Sequence, residues 1–229
     1  MVSTRRFRQA FIEQWNDEIR NNREALLEHH PGTSSWKTPW TAYMLKGENA
    51  FLKKVADRLK LTMRPEVRTL DAIYYKAGNE VLPEKKRPYP ARLEVCIEHE
   101  NGRDPEKEMY KLLIWPATLK VLILYDNSRR AQRVDSKLTQ FFEMAQEIDR
   151  QRPGVSEAAY LFLIGRGEEY GQPLTWRYLC ARDGDWPEQP RKPRVLKAER
   201  CSRTSCAQPL HAKSPRSRAA SHGNEGRTI

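Results

Sequence analysis

Cysteine is scarce in this chain. The four residues Cys96, Cys180, Cys201 and Cys206 are too few and too unevenly spread for a disulfide framework, which points to a reducing compartment. Cys201 and Cys206 with His211 lack a fourth ligand at finger-like spacing, so a tetrahedral zinc site is disfavoured. No apolar run approaches the ~18 residues of a membrane-spanning helix. Arg5 and Arg6 near the N-terminus are not followed by the apolar stretch of a secretory signal. The expectation is a cytoplasmic protein with no membrane partner. Familiar nucleotide and protease motifs are missing too: there is no GxxxxGK[ST] loop, no GxGxxG, no GxSxG and no HExxH. Gly165-Arg166-Gly167 follows an apolar run without a third glycine and reads as a turn.

What the chain has in excess is positive charge, a net of +11 in 229 residues. Its location matters. Residues 187–229 hold ten Lys/Arg against three Asp/Glu, rich in Pro and Ser and without one aromatic residue. Such a segment buries too little surface to offset its ordering entropy, so 187–229 is predicted to be a basic disordered tail. Residues 1–186 are left nearly balanced and form the expected folded domain.

Within that domain the apolar periods are clear. Phe7, Phe11, Trp15, Ile19 and Leu26 predict a helix over 4–28, closed by Pro31 and Gly32. A short helix around 40–45 and another over 49–59 follow. Residues 67–76 and 91–100 read as strands, separated by the proline-rich connection 78–90. Asp104-Pro105 supplies an N-cap and a first-turn proline for a helix to about residue 115. The run 118–125 reads as a buried strand, 134–151 as a helix, and 158–164 and 174–180 as strands. This order predicts an α/β fold with a mixed, partly parallel central sheet flanked by helices on both faces.

The candidate chemistry is acidic. Glu98 and Glu100 are two apart on a predicted strand and leave the same face. The capped helix and apolar strands that follow place this strand inside the sheet, where both faces are covered. Buried like charges repel and resist desolvation, and a hard divalent cation removes that cost. Asp71, in the apolar context of the preceding strand, can converge with them if the strands are neighbours. The three carboxylates would then bind Mg²⁺ (or Mn²⁺) and act on a phosphodiester. His99 points to the opposite face and reads as a core histidine. Glu106 and Glu108 sit in a first helical turn, where the macrodipole favours negative charge, and read as structural. Glu13, Glu18 or Glu24 could add a supporting carboxylate, and Trp40 reads as a packing residue. The competing reading is a row of solvated carboxylates, which Glu94 would extend.

Asp71 on one strand, a long connection, then Ile97-Glu98-His99-Glu100 on the next resembles the PD-(D/E)XK nuclease superfamily over roughly residues 4–165. The resemblance implies a restriction-endonuclease-like fold and Mg²⁺-dependent DNA cleavage. Asp71, Glu98 and Glu100 would be the metal ligands and catalytic residues. The usual lysine is replaced by Glu100, so water activation would lean on the metal or on Glu100 as base. Lys111 on the following helix could reach back, as relocated lysines do in some members. Lys85, Lys86 and Arg87 in the connecting loop could touch DNA phosphates. The oligomeric state stays open, and nucleases that cut both strands often pair as homodimers. The alternative is a non-catalytic nucleic-acid or protein interaction module on the same fold.

Overall fold

The computed structural model describes residues 1–28, 37–81, 89–100, 104–127, 131–151, 158–167, 172–181 and 194–195. Helix α1 (Thr4–Asn21) starts where the Ser3 side chain accepts the Arg6 amide at 3.2 Å. It ends at Asn22, whose φ of −135° breaks the helical path, and α2 (Arg23–Glu28) follows. The expected helix over 4–28 is therefore two helices. Helices α3 (Lys37–Leu45) and α4 (Phe51–Leu59) complete the first helical layer.

The sheet begins one strand earlier than the apolar pattern suggests. Strand β1 (Thr62–Val67) and β2 (Leu70–Tyr75) form a hairpin where a single strand over 67–76 is expected. Arg64, Pro65 and Glu66 blur the alternation of β1, and such residues are tolerated because β1 is an edge strand. A small two-stranded ribbon, β3 (Glu80–Val81) with β4 (Tyr89–Pro90), lies in the connection. Then come β5 (Leu93–Glu100), α5 (Pro105–Ile114), β6 (Ala117–Asn127), α6 (Ala131–Gln151), β7 (Ala159–Gly167) and β8 (Thr175–Ala181). The two-residue strand β9 (Arg194–Val195) pairs with β8. The rest of the 187–229 segment, with Cys201, Cys206 and His211, lies outside the described residues.

The strand order is β1-β2-β5-β6-β7-β8-β9. Strands β5, β6 and β7 run parallel, joined through α5 and α6, and the outer pairings are antiparallel. This is the expected α/β architecture with a mixed sheet. Each face carries its own core. Phe7, Phe11, Trp15, Phe51 and Val55 of α1 and α4 pack on Val95, Ile97, Val121 and Leu163. Met109, Leu112, Leu138 and Phe141 of α5 and α6 pack on Cys96, Leu122 and Phe162 from the other side. Fully burying a side chain such as Leu or Phe contributes about 1.5–3 kcal/mol, so two covered faces explain the near-continuous apolar runs of β6 and β7.

Gly165 is part of β7, not a turn. It stands opposite Trp176 in the antiparallel register with β8. A Cβ there would meet the Trp176 ring at 3.0 Å and Tyr125 at 3.1 Å, so the glycine admits close aromatic packing. Trp40 is fully buried among aromatic rings, in the packing role expected of it. Among the described residues no helix is long and apolar enough to cross a membrane.

Candidate functional site

Strand β5 sits between β2 and β6, so both of its faces are covered. Its sequence Leu-Glu-Val-Cys-Ile-Glu-His-Glu sends Val95, Ile97 and His99 toward the α1–α4 layer and Cys96 and Glu98 toward α5. Glu98 is 0% exposed. Both of its carboxyl oxygens are buried; among the described residues no amide, ring or amine donor comes within hydrogen-bond distance, and their neighbours are the Asp71 and Glu108 carboxyls and, at 3.7 Å, the Lys111 ammonium. A group of this kind usually takes a strong partner or gives up its charge.

The β2–β5 register pairs Ala72 with Ile97 and Ile73 with Cys96, which continues to set Asp71 opposite Glu98. Directly opposed side chains lie about 4.5–5.5 Å apart at Cβ. Asp71 is steadied by the backbone amide of His99, which donates to its Oδ2 at 2.7 Å. The third carboxylate comes from α5. Asp104 caps that helix by accepting the Lys107 amide, and Pro105 sets its first turn. The helix then carries Glu108 one turn ahead of the core residue Leu112, on the flank that overlies Glu98. Asp71, Glu98 and Glu108 each offer one oxygen, all within 4.8 Å of one another.

Lys111 joins this group. Its Nζ is 3.7 Å from Oε2 of Glu98 and is bound to the Glu108 carboxylate one turn before it. Burial pushes the Glu98 carboxyl up to about 11, with the neighbouring Glu108 and Asp71 adding to the rise and Lys111 opposing it. Burial also raises Asp71, against the His99 amide bond that favours its charged form. For Lys111, burial works downward, but the surrounding carboxylates outweigh it and hold the amine above its usual range. At neutral pH Glu98 therefore keeps its proton, and the Lys111 ammonium stands beside it.

Two of the three acidic residues singled out from sequence are thus brought together, and Lys111 reaches them. Glu100 differs. It lies two residues further along β5, about 7 Å at strand rise, and is not in the group that gathers around Asp71. Its place is taken by Glu108, because α5 folds back over β5 and lowers a carboxylate from above. By its place in the first helical turn Glu108 reads as a structural residue. The signal that could have found it is its position four residues before Leu112, on the inward side of an amphipathic helix. Lys85, Lys86 and Arg87 lie outside the described residues.

His99 lies on the opposite face, as its parity predicts. It is 5% exposed, its Nε2 is 2.7 Å from the Tyr125 hydroxyl, and burial holds its imidazole down to about 3, neutral under ordinary conditions. Glu18 is buried in the α1 layer and paired with Lys54 at 2.8 Å, away from the acidic group. Glu94, far from solvated at 4% exposure, is 3.5 Å from the N-terminal amine. The row of carboxylates on β5 is therefore mostly an interior feature. No family model, curated protein or solved structure matches this chain.

Proposed function

We propose that this domain is a restriction-endonuclease-like, Mg²⁺-dependent nuclease that hydrolyses DNA phosphodiesters, of the kind its Asp71/Glu98 arrangement resembles. The observation that carries the reading is Glu98, a fully buried carboxyl on an interior strand whose oxygens face Asp71 and Glu108, with the Lys111 ammonium 3.7 Å away. Three hard oxygen donors from two adjacent strands and one helix fit Mg²⁺ or Mn²⁺ in donor chemistry and number. Asp71, Glu98 and Glu108 would hold the ion, with Glu108 in the place that the nuclease resemblance assigns to Glu100. When bound, the metal supplies Lewis-acid polarisation of the phosphoryl oxygens.

The chain's own groups do the rest. To serve as a ligand Glu98 would have to give up its proton, since a carboxylate ligand must be ionised. The His99 amide keeps the Asp71 carboxylate oriented through the reaction. Lys111 places an ammonium against negative charge developing on the transferring phosphate, the role of a fixed donor in a water-poor site. Glu100, half-buried at the end of β5, stands nearest to solvent of the β5 carboxylates and can accept a proton from the attacking water.

The test is nicking of supercoiled DNA with Mg²⁺ or Mn²⁺ by the full chain and by Asp71→Asn, which keeps an acceptor for the His99 amide. The expected result is loss of nicking by at least about a hundredfold with an unchanged melting temperature. Equal cleavage by Asp71→Asn and the parent ends the catalytic assignment.

A second reading has one observation in its favour. Lys111 already neutralises part of the acidic group, binding Glu108 and approaching Glu98. A non-catalytic module on the same fold would keep that ion pair as its resting state, and would bind nucleic acid without a divalent-ion requirement.

A further inference from the structure

Beside the acidic group, on the same face of the sheet, an open groove of about 350 Å³ runs past the end of α5. Its walls include Val67, Arg68 and Ile73 of the β1–β2 hairpin, Arg92 ahead of β5, and Trp115 and Pro116 at the α5–β6 junction. We propose that this groove is a nucleotide subsite, in which one base of a DNA strand stacks on Trp115 while Arg68 and Arg92 hold the adjoining phosphates. This assignment rests on the nuclease reading for its orientation but not for its chemistry.

Three observations converge. The first is composition: one aromatic face flanked by aliphatic side chains and two guanidinium groups, with no carboxylate in the lining. Bases of any sequence stack on aromatic rings, and arginines along the same path track the backbone. Arg68 already lies over the Trp115 ring, its guanidinium carbon 6.0 Å from the centroid. Both arginines are exposed, and neither makes an ion pair among the described residues. A site for a neutral or cationic partner would not concentrate unneutralised positive charge in this way.

The second is backbone conformation. Glu66 and Arg68 adopt φ of +50° and +55°, the left-handed region that non-glycine residues rarely occupy. The strained turn carries Arg68 to the groove wall, and Trp115 Nε1 is 3.4 Å from the Thr69 hydroxyl of that turn. Strain of this sort tends to collect at ligand sites.

The third is continuity. Ile73 is two residues beyond Asp71 on the same face of β2, and Trp115, the extended residue that closes α5, is four residues beyond Lys111. Leu93 in the groove wall is five residues before Glu98 on β5, about 17 Å at strand rise, so a strand whose phosphate lies at the acidic group reaches the groove a few nucleotides further along. The volume is at the small end of ligand pockets, about 300–1,000 Å³, and suits one nucleotide rather than a folded partner.

The experiment measures binding of a labelled single-stranded DNA oligonucleotide to the full chain by fluorescence anisotropy, in EDTA so that no cleavage intervenes. The double variant Arg68→Gly/Arg92→Ala should bind about tenfold or more weakly and show a shallower salt dependence. Its melting temperature should be unchanged or higher, because glycine accepts the positive φ at residue 68. An oligonucleotide with abasic positions should bind the parent more weakly than the intact one. That difference should disappear in Trp115→Leu and persist in Trp115→Tyr. Parent-like affinity and salt slope in the double variant would overturn the proposal, as would equal binding of intact and abasic strands. A proline-rich peptide that binds here while the oligonucleotide does not would overturn it as well. Failure of Asp71→Asn to alter nicking strikes the catalytic reading alone, whereas these metal-free measurements strike the subsite alone.

Discussion

The backbone amide of His99 donates to the carboxylate of Asp71 across 2.7 Å, so one strand residue serves both faces of the sheet. Its amide steadies the acidic group on the α5 side, and its imidazole is pinned by the Tyr125 hydroxyl at 2.7 Å on the α1 side. The position of Asp71 is thus tied to aromatic packing that lies behind it. Tyr125→Phe leaves the His99 ring without that partner and should destabilise the fold by about 1–3 kcal/mol, the penalty for an unsatisfied buried polar group. Thermal melts of the parent and Tyr125→Phe check this, and an unchanged melting temperature contradicts it.

Glu98 makes metal-free stability depend on pH. Its carboxyl is raised to about 11 by burial, well above the ordinary value of 4.5, so the folded chain holds a proton that the unfolded chain releases. The stabilising contribution is complete below about pH 4.5 and declines as the pH climbs toward 11, by at most about 1.4 kcal/mol per pH unit for one proton. His99 acts in the other direction, with a depressed imidazole that weakens the fold only below its ordinary 6.5. Between pH 6.5 and 8, above the ordinary histidine value and below the ordinary 9.0 of the buried Cys96 thiol, whose own rise acts in the same direction, the decline should therefore follow Glu98. Glu98→Gln should flatten it and raise the melting temperature at pH 8. A parallel decline in both proteins would show that the proton resides elsewhere.

Adding Mg²⁺ or Mn²⁺ to the parent should release a proton near neutral pH, because Glu98 must ionise to bind. Calorimetric titration in buffers of different ionisation enthalpy reads that proton directly. Glu108→Gln should lower metal affinity by about 10–100-fold, and Glu100→Gln by much less. The reverse order would restore Glu100 as the third ligand.

Lys111→Met separates electrostatic competition from chemistry. Removing the ammonium beside Glu98 and Glu108 should tighten divalent-ion binding while slowing nicking. Faster nicking, or weaker metal binding, would exclude the assigned role.

Gly165→Ala should cost about 1–3 kcal/mol through overpacking. The added methyl would press on Trp176, whose ring is already held edge-on by Phe11 and Trp15 and cannot withdraw far. Chemical denaturation is the measurement, and a neutral outcome would mean that the aromatic cluster yields.

Much of this molecule can be read from local pattern. Apolar periodicity marks α1, α4, α5 and α6, and the unbroken runs of β6 and β7 announce strands covered on both faces. The parity of β5 separates Glu98 from His99, and Asp104-Pro105 gives the start of α5. These features depend on neighbours in the chain, and a side chain's face follows from its spacing. The break at Asn22, strand β1 and the strand character of Gly165 were not legible. Each depends on what packs against it: Gly165 on Trp176 of another strand, and β1 on β2, whose pairing outweighs the weak strand signal of Arg64-Pro65-Glu66.

The amino-acid order by itself determined that carboxylates would be carried into the interior on β5, because an apolar strand between apolar strands drags its polar residues inside. Which carboxylates meet there was decided by tertiary structure. The antiparallel register set Asp71 against Glu98, and the return of α5 over the sheet exchanged Glu100 for Glu108 and brought Lys111 within 3.7 Å of Glu98. Spacing along one strand fixes the direction of a side chain. Its partners depend on where the next helix lands, and that is set by packing of Met109, Leu112 and Leu113 against residues distant in the chain.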